Sequence, residues 1–492
     1  MSNLYIFAVG GTGSRVIKAL TMLLASGVKM ENTDKVIPII VDPHKANKDL
    51  QRTENLLKNY RRIRSSLRNE PQSGDFFATK IHTLSDLAES KQLTDTYVFD
   101  LKGVSDEKFK DYIDYNTLNE SNKALASLLF SEKNLETKMD IGFVGNPNIG
   151  SVVLNQFKES QEFTSFASNF RPDDRIFIIS SIFGGTGAAG FPIILKNIRG
   201  ATAETPNHHF LNNAVIGAIT VLPYFGVEPS EEKLIDKATF ISKTKAALQY
   251  YSKGVNPNIN KLYYIGDEVN KDYAYDPGAG GQQNRAHFIE MAAALAIVDF
   301  TKTSLDIMRA PDGAPQETIF KEFAIKSDIS TIPLNELEED TIQVLAKPLT
   351  KMVFFNRYFQ EHMKTSVETA RWTKTEPKID RGFIAGTFAG TYLNEFHRTF
   401  REWLKEMEEN NRSFKPFLLD VGVRLSDTII NMKPKESLFS SKLDFNSFDE
   451  YLSKVDDKNK NFVSSQDKIL KIFSEATEKL LVDRYESFFK NL

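Results

Sequence analysis

The 492-residue sequence contains no cysteine, so disulfides, thiolate nucleophiles and cysteine-based metal sites are excluded. It also lacks an excess of either charge. With 62 Lys and Arg against 65 Asp and Glu, the formal net charge is −3, which supplies no bulk field for a polyanion, and no nucleic-acid partner is expected. Long apolar runs are missing too. The nearest, Met291 to Phe300, contains Asp299 and falls short of the roughly 18 apolar residues that span a bilayer. No transmembrane segment is expected. The first helix-like stretch, Val16 to Val28, lacks a basic start and a small-residue cleavage site, which argues against a signal peptide and for a cytoplasmic protein. What remains is ordinary for a globular chain: 41% hydrophobic and 26% charged residues, at a length that suits two to four domains or one large domain with an appendage.

Strand, glycine-rich turn and helix follow one another at the start: LYIFAV (residues 4–9), GGTGS, then a helical pattern. A second strand, Val36 to Val41, ends in Asp42, and residues 51–138 are polar and helix-prone, as a helical insertion between strands would be. Ile141 to Val144 reads as a strand before GNPNIGS and a helix over Val152 to Glu162. RIFIISSIF then opens into GGTGAAG and a helix over Phe191 to Ile198. Ala214 to Leu222 and Lys261 to Ile265 read as strands on either side of a long helix, Glu231 to Lys253. Each strand is a nearly continuous apolar run. That pattern predicts an α/β fold with a mostly parallel sheet covered by helices on both faces. After a glycine-rich break at Pro277 to Gly281, a central helix is expected over 284–309, and Pro311 to Gly313 break the chain again. Beyond residue 310 a largely α-helical C-terminal region is expected, with helices over Leu349 to Lys374, Gly386 to Glu409 and Phe462 to Asn491, and loop with short helices over Pro434 to Asn461. This divides the chain into 1–310 and 311–492.

Three loops follow three strands of the expected sheet: Gly10 to Ser14, Gly145 to Ser151 and Gly184 to Gly187. Ligands of open parallel sheets bind beyond the carboxyl ends of the strands, where glycine lets the backbone approach an oxyanion and helix amides point at it. Together the loops make a phosphate cradle. Tight helix-to-strand packing explains any one of them equally well. The Walker A spacing, with Lys after the glycines, is absent.

The ordered set resembles the tubulin/FtsZ superfamily, and the chain is similar to a divergent bacterial member of it. RIFIISSIFGGTGAAGFP resembles the strand and GGGTG[ST]G signature, with Phe183 in place of its first glycine and Ala188 and Ala189 in place of its last two residues. AVGGTGSRV, VIPIIVDPHKANKDL, GNPNIGS, AVIGAITVLPYF and LYYIGDE resemble further segments in the same order, over residues 4 to about 310. The resemblance implies GTP or GDP held by Gly10, Gly11, Thr12, Gly13 and Ser14 and by Gly184, Gly185, Thr186 and Gly187, with Asn146 and Asn148 near the terminal phosphate. It implies Mg²⁺ held by phosphate oxygens and water. Asn284 matches the position that reads the guanine edge; helix N-capping is the other role open to it. The family completes its active site in trans, through an acidic loop after the central helix. Asp312 stands nearest that place, with a plain turn as its alternative, while Asp299 comes too early and Asp306 sits close by. Head-to-tail self-association into filaments, or a nucleotide-controlled scaffold that binds other proteins through the helical C-terminal region, is the function implied, with GTP hydrolysis at the subunit interface.

A second function class stays open: an NAD(P)-dependent oxidoreductase in which VGGTGSR binds pyrophosphate and Asp42 the ribose hydroxyls. A third is a nucleotide-free structural relative. His208 and His209 bind metal only with partners from elsewhere, and otherwise lie in a solvated loop. KNYRRIRSSLR (58–68) suits an acidic partner or a solvated helical face. Leu470, Ile472, Phe473, Leu480 and Leu481 give the last helix an apolar side for core docking or a partner.

Overall fold

The computed structural model describes residues 2–88, 93–104, 107–139, 143, 145–224, 226–227, 237–268, 272–273, 284–309, 316–323, 329–435, 442–459 and 461–492. In chain order the strands are β1 (Ser2–Val9), β2 (Thr33–Val41), β3 (Lys80–Ile81), β4 (Arg175–Ser181), β5 (Val215–Val221), β6 (Gly226–Val227), β7 (Lys261–Ile265), β8 (Asp272–Tyr273), β9 (Ile319–Phe323), β10 (Thr331–Ile332) and β11 (Ser413–Phe414). Seven of them form one sheet in the order β3-β2-β1-β4-β5-β7-β9, and every neighbouring pair is parallel. The central strands β4 and β5 are buried along their whole length, the consequence of apolar side chains on both faces under two helical layers. The fold class expected from the apolar runs is the one found.

Register keeps the carboxyl ends of the inner strands level: Val9 pairs with Val41, Ser181 with Val221, and Val221 with Ile265. The helix Phe288–Lys302 crosses the full depth of the sheet. His287, just before it, lies against Tyr224 after β5, with ring centroids 4.8 Å apart. At its other end the carbonyls of Phe300, Thr301 and Thr303 accept from Arg175 Nη1, at the start of β4. Gly217 makes room for this crossing, since a Cβ there would lie 2.7 Å from carbons of both Phe177 and Phe300.

The central helix is shorter than the expected 284–309. It is stopped by a capping box in which the His287 ring accepts the Ile289 N–H and Glu290 accepts the His287 N–H, and Leu305–Met308 is a separate turn after an extended Thr303. Asn284 is therefore not its N-cap. The helices expected at Val16, Val152 and Phe191 start earlier, at Gly10, Pro147 and Gly185, because each glycine or proline loop is itself the first turn. The insertion is not purely helical: its β3 adds an edge strand beside β2. Pro434 to Asn461 holds a 14-residue helix, Phe445–Lys458, begun by an Asp444 and Ser447 capping box and burying Phe448, Leu452 and Val455 at helical spacing. The sheet also draws its last strand, β9, from beyond residue 310. The strand expected at Ile141 to Val144, apart from Phe143, lies outside the described residues, as do the breaks at Pro277 to Gly281 and Pro311 to Gly313 and the helical start 231–236.

The C-terminal region beyond β10 is mainly helical, with Glu339–Glu361, Asn394–Glu408, Phe445–Lys458 and Ser465–Arg484 as its long elements. Phe355 stacks on Phe473 at 4.3 Å beside Trp372 and Tyr358. Leu470, Ile472, Phe473, Leu480 and Leu481 are all buried, so the apolar side of the last long helix is core. Its Lys471 also reaches Asp75 at 3.0 Å, tying this region to the insertion. Arg61 and Arg64 of the basic segment are paired with Asp86, Asp95 and Glu70.

Candidate functional site

Three helices begin at the carboxyl edge of the sheet, and none has a side-chain cap or an acidic residue in its first turn: Gly10–Ala25, Pro147–Leu154 and Gly185–Arg199. Several helices elsewhere are capped, with Asn47, Asn119, Ser160, Asp444 and Ser464 each accepting a first-turn N–H. Glu339–Glu361 and Asn394–Glu408 carry an acid in an uncapped first turn, and the short helices His208–Asn212 and Met363–Thr369 have neither. What sets the three glycine and proline starts apart is their common place at the sheet edge. A helix start without carboxylate or cap leaves its amides and the positive end of its dipole for another acceptor.

The three starts converge. Gly10, at φ +70°, turns the chain from β1 straight into helix, and a Cβ there would stand 3.4 Å from Thr186 Cβ and 3.6 Å from the Gly187 nitrogen. A Cβ on Gly185 would lie 3.0 Å from the backbone nitrogens of both Gly145 and Asn146. The first glycine loop therefore lies against the second, and the second against the GNPNIGS loop, with Gly185 held so close to that backbone that a side chain would have to push it away. Lys243 adds a cation, its Nζ donating to the Gly145 carbonyl at 2.7 Å.

Gly13 and Gly187 serve another purpose. A Cβ on Gly13 would come within 2.5 Å of the Ala8 carbonyl carbon, and one on Gly187 within 2.5 Å of the Ser181 oxygen. Each lets a first helical turn rest on the strand that precedes it, so for these two the packing explanation holds. Thr12 and Ser14 are buried, and Ser14 Oγ has no hydrogen-bond partner. Thr186 is half-buried, Asn146 is the N-cap residue of its helix, and Asn148 is exposed in that helix's first turn. Asp312 lies outside the described residues. Asp306 and the turn carrying it are at the opposite edge of the sheet, and Asp299 is bound within its helix by Lys261 at 2.6 Å, Tyr263 at 2.5 Å and Lys321 at 2.9 Å. Among the described residues no group of His, Asp and Glu could hold a metal, His208 and His209 included.

Asp42 follows β2 and is 4% exposed, with the His44 N–H donating to its Oδ1 at 3.0 Å. Burial pushes its carboxyl up to about 6, against the lowering effect of the His44 amide. The folded protein therefore keeps a proton that the unfolded chain loses near 3.8, and stability falls as pH rises from about 4 to 6. Asp42→Asn is expected to raise the stability of the ligand-free protein at pH 8 by about 3 kcal/mol and to leave it nearly unchanged near pH 4. Urea unfolding at the two pH values measures this.

Sequence reasoning missed the polar cluster behind the first loop. Arg15, buried, donates from Nε to Glu290 at 2.5 Å and from Nη2 to Tyr224 Oη at 2.9 Å, and its Nη1 is 3.5 Å from Asp49. Burial opposes its charge, but Tyr224, Glu290 and Asp49 together hold its pKa well above the ordinary guanidinium value. Its Nη1 also lies 3.6 Å from the Cβ that Gly11 would carry. Asn284 sits on the far side of Asp49, giving that carboxylate its backbone N–H and its Nδ2. Glu406, from the C-terminal helical region, reaches the same place and accepts from Lys18, Arg52 and the Ala286 N–H. The basic residue after GGTGS and the acid in the NKD segment were the only signals, and they lie 34 residues apart.

No protein-family model and no curated protein matches the chain. Among solved structures it is similar to CetZ2 from Haloferax volcanii, solved as a GTPγS-bound protofilament, at 12% identity over 61% of this chain and 58% of that one, with a TM-score of 0.29. It is similar to CetZ from Methanosaeta thermophila at 14% identity over 63% and 57%, with a TM-score of 0.27. A point mutant of FtsZ from M. jannaschii matches at 14% identity over 54% of this chain and 47% of its own, with a TM-score of 0.27. The matched part is thus less than two thirds of each of these chains. Among the described residues no helix is long and apolar enough to cross a membrane.

Proposed function

We propose that the chain is a guanine nucleotide-binding protein of the tubulin/FtsZ type, which associates head to tail under the control of that nucleotide. The observation that carries this is the meeting of three uncapped, acid-free helix starts at one edge of a parallel sheet. N–H donors and dipoles gathered at one edge suit a chain of phosphates, and glycine at positions 10 and 185 lets the loops that carry them lie against one another. The donors are amides and one lysine, so Mg²⁺ would be held by phosphate oxygens and water. It would supply charge neutralisation at the terminal phosphate. Asp42 is enclosed beside His44, while the oxidoreductase alternative requires it to face a ribose and assigns nothing to the other two loops.

Head-to-tail association is supported by the crossing helix Phe288–Lys302, which joins the glycine edge to the edge carrying Asp306 and leading to Asp312. Copies stacked along that direction would bring the acidic segment of one to the phosphates of the next, where Asp312 would orient the attacking water. Such contacts are heterologous and propagate into filaments unless rotation closes a ring. The test is chromatography of the ligand released on denaturation, with electron microscopy of the protein in GTP and Mg²⁺. GDP or GTP with polymers is expected. A copurifying nicotinamide cofactor, or no binding of any nucleoside polyphosphate, would overturn the proposal.

A further inference from the structure

The large sheet ends in β9, which among the described residues has one neighbour, β7. Register says what faces the other way. The Ile319 N–H donates to the Asn260 carbonyl, so the peptide groups of Ile319 and Lys321 serve the ladder with β7, and those of Phe320 and Glu322 point out of the sheet. The Phe320 side chain is 57% exposed and stacks on Tyr264 of β7, with ring centroids 6.5 Å apart and planes 10° from parallel. Parallel sheets bury both faces as a rule, and an open edge is commonly blunted by a lysine that resists pairing. Here the lysine is turned inward. Lys321 lies on the face opposite Phe320, where its Nζ binds Asp299 at 2.9 Å.

We propose that β9 is a self-docking edge: a second copy of the chain adds its own β9 antiparallel across a two-fold axis, joining the two sheets side by side. Such an isologous contact needs a strand that is complementary to itself. With the peptide groups of Phe320 and Glu322 facing out, two-fold axes are possible at positions 320, 321 and 322. An axis at 321 sets two copies of Lys321 against each other, and an axis at 322 does the same to Glu322, so like charges oppose in both. The axis at 320 is free of this conflict. It pairs the two copies of Phe320 across the strands, sets Lys321 against Ile319 and Glu322 against Thr318, and covers the exposed rings. The contact lies on the side of the sheet, away from both of its ends, and does not rest on the nucleotide reading. Five residues a side make a weak pair in isolation. Where copies also stack head to tail, the same contact recurs along the stack and ties together two strings of opposite direction.

The chain has no cysteine, so single introduced cysteines report the register directly. Oxidation of full-length Phe320→Cys with copper phenanthroline, in the absence of added nucleotide and Mg²⁺, is expected to give a covalent dimer, because the axis at 320 brings the two Cα atoms to about 5.5 Å. Glu322→Cys is expected to stay monomeric under the same conditions, since that axis leaves its two copies roughly 14 Å apart. Sedimentation equilibrium reads the association with no cysteine present. The native chain is expected to show a concentration-dependent monomer–dimer equilibrium, weakened about tenfold or more in Phe320→Lys, which sets like charges together at the axis. Position 320 is exposed in the monomer, so this substitution leaves the core untouched. Equal cross-linking of Phe320→Cys and Glu322→Cys, no cross-linking of Phe320→Cys, a native chain that sediments only as monomer, or undiminished association in Phe320→Lys would each overturn the inference.

Discussion

Gly185→Val is expected to lower affinity for GDP at least about 100-fold, roughly 2.7 kcal/mol of binding free energy, while the protein remains folded. The first side-chain carbon would already stand 3.0 Å from the Gly145 and Asn146 nitrogens, and the two methyls beyond it have to force the GNPNIGS loop away from the GGTG loop. Those loops are surface segments that can separate by an ångström or so. The strain therefore falls on the cradle rather than on the sheet beneath it. Gly187→Val makes the contrast: its Cβ would press on the Ser181 backbone at 2.5 Å, and relief there requires moving the helix off β4. That variant is expected to lose stability first and binding only as a consequence. Calorimetric titration with GDP, paired with thermal unfolding of the ligand-free variants, separates the two. Unchanged GDP affinity in a folded Gly185→Val protein would mean that nothing binds between these loops.

The inner sheet was legible because burial on both faces forces continuous apolar runs, and β1, β4, β5 and β7 all carry them. The strand β9 was not. Its sequence, IFKEF, mixes charge with apolar residues because it lies at the sheet edge, and Phe320 is exposed. Glycine after a strand pointed to all three loops, yet composition could not say which glycines face another loop and which face the preceding strand. Gly10 and Gly13 look alike in GGTG and differ in what the fold asks of them: Gly10 takes a φ of +70° beside Thr186, and Gly13 packs on the Ala8 backbone. The cluster around Arg15 was illegible for a different reason. Its members come from positions 15, 49, 224 and 290, and charges that distant show no periodicity until the fold brings them together. Helix boundaries failed where a cap decided them. The His287 and Glu290 box ended the central helix short of Asn284, and a histidine cap is not one that composition suggests.

Arg15→Ala is expected to destabilise the protein by about 3–5 kcal/mol, because it leaves Asp49 and Glu290 buried without the guanidinium that bridges them. Lysine should not rescue it. The planar fork serves three partners at once, Glu290 from Nε, Tyr224 from Nη2 and Asp49 near Nη1, and a single ammonium can satisfy only part of that set. The pH dependence identifies the cause. Burial already raises the Asp49 carboxyl against the lowering effect of Arg15, so without Arg15 Asp49 holds its proton to still higher pH when folded, and the variant's stability falls as pH rises through that range. The deficit relative to wild type should be full near pH 8 and shrink toward pH 5. Adding Glu290→Gln to Arg15→Ala should recover part of the loss at pH 8, since one uncompensated charge is removed. Urea unfolding of the single and double variants across this range is the measurement. A deficit that does not change with pH would mean the guanidinium acts by filling space. A deficit that narrows toward acid would show that the charge behind the glycine edge holds three distant segments, and Asn284 with them, in place.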